Sequence, residues 1–143
     1  MAELGHIVVG VDGSENARRA LDWAVTLARP AGARVTAVHA LGLLDRVHEA
    51  RVPSASHRDE IAEAFRSEWC AALDDAGVSC ERIVVDGTPA DVILATAAER
   101  GADLVVVGER GTNGGPTREL GSTSRRVLEG SDRPVLVVPH EAA

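Results

Sequence analysis

Asp103-Leu-Val-Val-Val-Gly-Glu-Arg-Gly111, followed further on by Gly121-Ser-Thr-Ser124, is the stretch whose reading decides the fold. Its first half is a short, β-branched apolar run, the pattern of a strand buried on both faces. Its second half sets Gly108, Gly111 and Gly121-Ser122 at the spacing Gly-x2-Gly-x9-Gly-Ser. Gly108 and Gly111 are expected to bring backbone close to a ligand and to take positive φ without steric cost. Gly121-Ser-Thr-Ser124 opens a helix, where the first N–H groups lack internal partners and the dipole favours an anion. The combination reads as a loop that holds the phosphates of a nucleotide. One glycine alone would read as a turn; strand, spacing and helix start point the same way.

Outward from this stretch, strands and helices alternate. His6-Ile-Val-Val-Gly-Val11 reads as a first buried strand, and Ser14 as the cap of a helix over 15–29 whose apolar face carries Ala17, Ala20, Leu21, Ala24 and Ala28. Arg34–Ala40 is the second strand, and 41–57 an irregular connection around Pro53. Ile61, Phe65, Trp69 and Leu73 recur at helical spacing up to Gly77, a helix stop. Glu81–Asp86 is the third strand. Thr88 is then the expected N-cap of the next helix, with Pro89 at its first position and Asp91 placed to return a hydrogen bond. The fourth strand precedes the glycine loop, a short helix covers about 122–130, and Pro134–Pro139 is the fifth strand. Apolar strands alternating with helices imply an α/β domain, a parallel sheet covered on both faces.

Composition bounds the function. The chain has 143 residues, 45% of them hydrophobic, enough for a single domain with a core over 1–143. No apolar run reaches the length of a membrane span, and Met1-Ala-Glu-Leu-Gly5 leads into the first strand without a basic leader, so a cytoplasmic protein is expected. A net charge of -7 and three aromatic residues (two Trp, one Phe) argue against a nucleic-acid surface. All 15 basic residues are arginine. The absence of lysine removes a lysine-bearing P-loop and Schiff-base chemistry, and leaves arginine to neutralise phosphate. Cys70 and Cys80 have neither Cys-x-x-Cys nor zinc spacing and are expected as reduced thiols. His39, His48 and His57 lack the spacing of helical metal ligands, so no metal site is expected and the histidines are read as exposed or packing. Trp23, Phe65 and Trp69 read as core or interface, Arg125-Arg126 as a solvated pair, and Asp86-Gly87 as a turn.

Open parallel sheets bind ligands beyond the carboxyl ends of their strands, where the strand order reverses. Asp12, His39-Ala40 and Gly108 follow or end the first, second and fourth strands, and the first and fourth would flank that crevice. Asp12 reads either as a capping acid of the strand-to-helix turn or as a hydrogen-bonding partner of adenosine or ribose.

Gly10-Val-Asp-Gly-Ser14, Val38-His39, Gly87-Thr-Pro89, the Gly-x2-Gly-x9-Gly-Ser loop and Arg133-Pro-Val-Leu-Val-Val-Pro139 together resemble the universal stress protein family over nearly the whole chain. The glycine pattern is similar to that of its ATP-binding branch. The resemblance implies a Rossmann-like, adenine nucleotide alpha hydrolase-like sheet of five parallel strands. It implies ATP as ligand, with Mg2+ carried on the triphosphate, in a stress-response regulator or sensor. By the same resemblance Asp12 would bind the adenosine part and the backbone at Ala40 the adenine. Gly108 and Gly111 would line the ribose and phosphate side, and Gly121, Ser122, Thr123 and Ser124 the phosphates. Gly10, Val107 and Arg110 complete the set. Glu109 puts a negative charge in the loop, which Arg110, Arg118 and Arg125 are placed to offset.

No evident base or lysine accompanies the loop, so binding with little or no hydrolysis is expected. Two other classes stay open: an enzyme of the wider adenine-nucleotide group that cleaves or transfers phosphate or adenylate, and a module that binds a client protein without nucleotide. An apolar fifth strand at a sheet edge is expected to pair with a second copy through 134–139, with Pro134 and Pro139 limiting its extension.

Overall fold

The computed structural model describes residues 3–41, 55–110 and 120–140, with side chains from residue 58 onward in the second of these stretches. Strands β1 (His6–Gly10), β2 (Arg34–Ala40), β3 (Cys80–Val85), β4 (Leu104–Gly108) and β5 (Val135–Val138) form one sheet in the order β3-β2-β1-β4-β5. Every pairing is parallel. The order reverses between β1 and β4, so the switch point lies where the sequence put it.

Side chains along each strand alternate between two clusters, the period-two consequence of the pleat. Ile7, Val9, Val35, Ala37 and Val106 pack beneath α1 (Glu15–Ala31) with its Ala20, Leu21, Ala24 and Ala28. Val8, Val38, Val105 and Val107 pack on the other face against Ala90, Ile93 and Ala97 of α3 (Pro89–Arg100) and Val127 of α4 (Ser122–Gly130). Helices therefore cover both faces, and the inner strands β1 and β4 read as apolar runs because neither face meets water, while β3 at the sheet edge carries Glu81 and Arg82 and has no fully buried residue.

α1 begins as expected: the Ser14 hydroxyl accepts from the Ala17 N–H at 3.1 Å. Gly32, at φ +67°, ends it in the left-handed conformation that a side chain would disfavour. α3 begins differently. Thr88 occupies the N-cap position, but its hydroxyl makes no capping bond and donates instead to Asp91 Oδ2 at 2.6 Å, so the expected reciprocal box is a side-chain pair.

Between β2 and β3 the expected regular helix is broken. α2 (Ala55–Ala64) runs into a π-helical turn over Phe65–Trp69, closed by Cys70 N–H on the Phe65 carbonyl at 3.1 Å, and then a 3₁₀ turn over Ala71–Leu73. Phe65 and Leu73 stay buried, so the i, i+4 spacing located the apolar face but not the wider turn within it. Trp23, expected as core or interface, stands 46% exposed on α1. Cys70 is buried and Cys80 exposed, both as free thiols, with burial pushing the Cys70 thiol up to about 12.

Candidate functional site

Gly10 and Ala40 end β1 and β2, Val107 and Gly108 end β4, Asp12 follows β1, and Gly121–Ser124 starts α4. The parallel sheet brings these ends to one side, and β1 with β4 flanks the point of reversal. Gly111 lies outside the described residues, as do Arg118 and His48; of His57 only the backbone is described.

The turn after β1 is built around Asp12. Its Oδ1 accepts from the Ser14 N–H at 2.9 Å and from the Ser14 hydroxyl at 2.5 Å, a local bond that fixes the turn into α1. Gly13 stands at φ +84°, and a Cβ there would lie 2.7 Å from the indole of Trp69. Two independent constraints, backbone conformation and contact, therefore ask for glycine. Trp69 meets His39 edge-on at 5.0 Å between ring centroids, and His39 also stacks on Phe65 at 5.9 Å. The His39 Nδ1–H donates to the Val11 carbonyl at 2.8 Å. Burial holds the His39 imidazole below its usual range, opposed by that carbonyl and by the nearby Asp12 charge. Of the two sequence readings, His39 is thus a packing histidine that supports the Asp12 turn from below.

Gly108 corrects one expectation. It is absent from the positive-φ glycines, which are Gly13, Gly32, Gly77, Gly87 and Gly101 among the described residues. Glycine is needed there for close packing. A Cβ at Gly108 would lie 2.9 Å from Asn16 Cγ and 3.1 Å from the Asn16 backbone carbonyl, so the end of β4 lies directly on the first turn of α1. Gly10 acts likewise on the other face, where a Cβ would meet Ile93 Cδ1 at 2.6 Å. Both glycines let helices approach the switch point.

The far end of the loop closes on the near end. The Glu109 carbonyl accepts from Gly121 N–H at 2.9 Å and from the Ser124 hydroxyl at 2.9 Å. Arg125 N–H makes the first intrahelical bond, to the Gly121 carbonyl at 3.0 Å, so the N–H groups of Ser122, Thr123 and Ser124 precede the helical ladder. The Ser122 side chain is exposed and that of Thr123 half-buried, whereas Ser124 is 2% exposed with its hydroxyl directed to Glu109 and Gly121 carbonyls. As a side chain Ser124 is a strut of the loop base. Its backbone N–H, like those of Ser122 and Thr123, precedes the first intrahelical bond.

Of the arginines expected to offset Glu109, Arg110 acts on it only as a minor electrostatic influence, and Arg118 lies outside the described residues. Glu109 Oε2 accepts from the His140 N–H at 3.0 Å and from His140 Nδ1 at 2.5 Å, which holds its carboxyl below the usual range, the backbone donor first. His140 Nε2 meets the Arg110 guanidinium. The acid thus fastens His140, two residues beyond β5, to the residues after β4.

A residue missing from the sequence reading binds these pieces. Asn16 is buried; its Nδ2 donates to the Val138 carbonyl at 2.9 Å and its Oδ1 accepts from the Arg110 N–H at 2.7 Å. Its only sequence signal is a polar residue next to Ala17 on the buried stripe of α1. No motif marks it, because its partners are backbone groups.

The universal stress protein family model matches residues 3–139. The chain belongs to the universal stress protein family. Universal stress protein YxiE of Bacillus subtilis is 36% identical over 92% of this chain and 97% of its own length. A universal stress protein solved in complex with cAMP is 30% identical, with a TM-score of 0.72 over 96% of this chain and 98% of that one. The universal stress protein from Archaeoglobus fulgidus in complex with dAMP is 26% identical, with a TM-score of 0.67 over 96% of this chain and 99% of its own. Family membership agrees with the five-stranded parallel sheet. Among the described residues no helix is long and apolar enough to cross a membrane, and no group of three or more His, Cys, Asp or Glu side chains is placed to hold a metal ion.

Proposed function

We propose that this chain is a cytoplasmic ATP-binding regulator or sensor whose ligand lies across the carboxyl ends of β1, β2 and β4. The observation that carries the reading is the clamp of α4 onto the end of β4. Glu109 carbonyl holds Gly121 and Ser124, so a helix N-terminus with three leading N–H groups is fixed beside the switch point. Such a terminus favours phosphate through directed N–H groups and the helix dipole. Solved relatives in complex with cAMP and dAMP support an adenine nucleotide as the ligand class.

In this reading the adenine meets backbone at Ala40, the Asp12 turn carries the adenosine, and Gly10, Val107 and Gly108 form the floor. Arg110, Gly111 and Gly121–Ser124 serve the triphosphate. The donor set suits an anion, being backbone N–H and guanidinium, and Mg2+ would arrive on the triphosphate. Turnover is slow or absent, because amides and arginine bind charge without supplying a base. Two copies pair through 134–139, and the nucleotide-loaded state is read by a client protein.

Calorimetry of ATP with wild type and with Gly121→Glu tests the assignment. The added carboxylate at the N-cap should abolish measurable binding, and equal affinity in both would remove the phosphate site. Steady-state phosphate release at an ordinary enzymatic rate, lost on changing Asp12 or Ser122, would favour the enzyme reading instead.

A further inference from the structure

We infer that Asn16 is the positioning residue for the phosphate side of the nucleotide site, an inference that rests on the nucleotide-binding reading above. The chain leaves β4 at Gly108, enters the phosphate loop through Glu109 and Arg110, and returns at Gly121. The return is fixed by the Glu109 carbonyl. The departure is fixed by Asn16, whose Oδ1 holds Arg110 N–H at 2.7 Å while its Nδ2 holds the Val138 carbonyl at 2.9 Å.

The chemistry selects an amide. The site needs one acceptor facing a backbone N–H and one donor facing a backbone carbonyl, both on a side chain short enough to stay in the first turn of α1. Carboxamide supplies both in one plane; carboxylate lacks the donor, and an aliphatic side chain of the same shape lacks both. Asn16 is only 7% exposed, so leaving either backbone group without its partner carries a desolvation cost. Contact completes the placement, since Gly108 rests on Asn16 with no room for a Cβ. The Val138 carbonyl also accepts the Glu109 N–H at 2.8 Å, so Asn16 joins α1, the end of β5 and the first two loop residues at one point. Asn16 would contact no ligand. It would act by setting where Arg110 and the loop start.

The consequence is selective. Adenosine, which lacks phosphate, should bind almost independently of Asn16, whereas ATP should depend on it. Calorimetric titration of both ligands into wild type, Asn16→Ala and Asn16→Asp reads this, with urea unfolding as a check of the fold. We expect Asn16→Ala to weaken ATP by about tenfold, the size of the lost hydrogen bond to the Arg110 N–H, and adenosine by no more than about twofold. Asn16→Asp adds a pH signature. As a carboxylate it faces the Val138 carbonyl oxygen without a donor; as a carboxylic acid it regains both functions. Its ATP affinity relative to wild type should therefore recover as pH falls from about 8 to about 5.5, burial raising the range in which it protonates. Asn16→Asp carries the test by itself should Asn16→Ala lose its cooperative transition. Equal losses for ATP and adenosine, no loss of ATP, or no recovery of Asn16→Asp on acidification would each overturn the role of Asn16. A wild type that binds neither ligand would instead overturn the nucleotide reading, and this inference with it.

Discussion

The Ser124 hydroxyl donates to the Glu109 carbonyl across 2.9 Å at 2% exposure, and that bond ties the start of α4 to the end of β4. Ser122, two residues earlier, presents an exposed side chain. The two serines should therefore separate on substitution. Ser124→Ala is expected to lower stability by about 1 kcal/mol, the net worth of a buried hydrogen bond, and Ser122→Ala to change it by less than about 0.5 kcal/mol. Urea unfolding checks the difference, and equal stabilities of the two variants would contradict the strut.

Gly108 and Gly32 predict opposite origins for the same kind of damage. A Cβ at Gly108 meets Asn16 backbone, which cannot swing aside, so Gly108→Ala should cost about 1–3 kcal/mol through overpacking and should also disturb ATP binding. Gly32 has no atom within 4 Å of an added Cβ but stands at φ +67°, so Gly32→Ala should cost about 1–2 kcal/mol by backbone strain alone. Denaturant titration with ATP calorimetry distinguishes them: Gly32→Ala leaves the ATP affinity unchanged.

His39 gives the stability its dependence on mildly acid pH. Burial depresses its titration in the folded protein, so between the ordinary histidine value near 6.5 and the folded value the unfolded chain binds the extra proton. Stability is full above about 6.5 and falls as the pH is lowered from there. The lowered Glu109 carboxyl acts with the same sign but in the carboxylate range, further down. Urea midpoints at pH 7.5 and 5.5 should fall for wild type and fall less for His39→Gln. Parallel declines would assign the acid sensitivity elsewhere.

β5 is one of the two edge strands, and its backbone directions can be read from its bonds. Val105 N–H reaches the Pro134 carbonyl and Glu109 N–H the Val138 carbonyl, so residues 134, 136 and 138 face β4. Val135 and Val137 then turn their backbone groups outward, where a second copy would pair. Val137→Pro removes an outward N–H without touching the inner ladder. Light scattering at micromolar concentration should show a dimer for wild type and a monomer for Val137→Pro; a monomer in both would reject this interface.

The fold was legible because five short apolar runs leave little choice. Each is bounded by a turn or helix start, and in β1 and β4 the period-two alternation was absent because both faces are covered. Strand ends moved by a residue: β3 runs Cys80–Val85, one residue earlier at each end than Glu81–Asp86, and Asp86 pairs with Arg58 at 2.7 Å. The site was only half legible. Glycine spacing and the Gly-Ser helix start are local, and they located the loop. Asn16 and His140 were missed because their partners, Val138 carbonyl, Arg110 N–H and Glu109, lie far along the chain and come near only when β4 and β5 pair. The π-helical turn was missed for a related reason: Trp69 is set against Gly13, a contact no helical period encodes.

Backbone amide shifts on adding ATP to the 15N-labelled protein test the central claim most directly. The account predicts the largest changes at Ser122, Thr123 and Ser124, at Gly108 to Gly111, and at Asp12 and Ala40, saturating together with one affinity. Adenosine should reproduce the changes at Asp12 and Ala40 and leave those at Ser122–Ser124 small. No change at Ser122–Ser124 with saturating ATP, or changes confined to another part of the molecule, would contradict it.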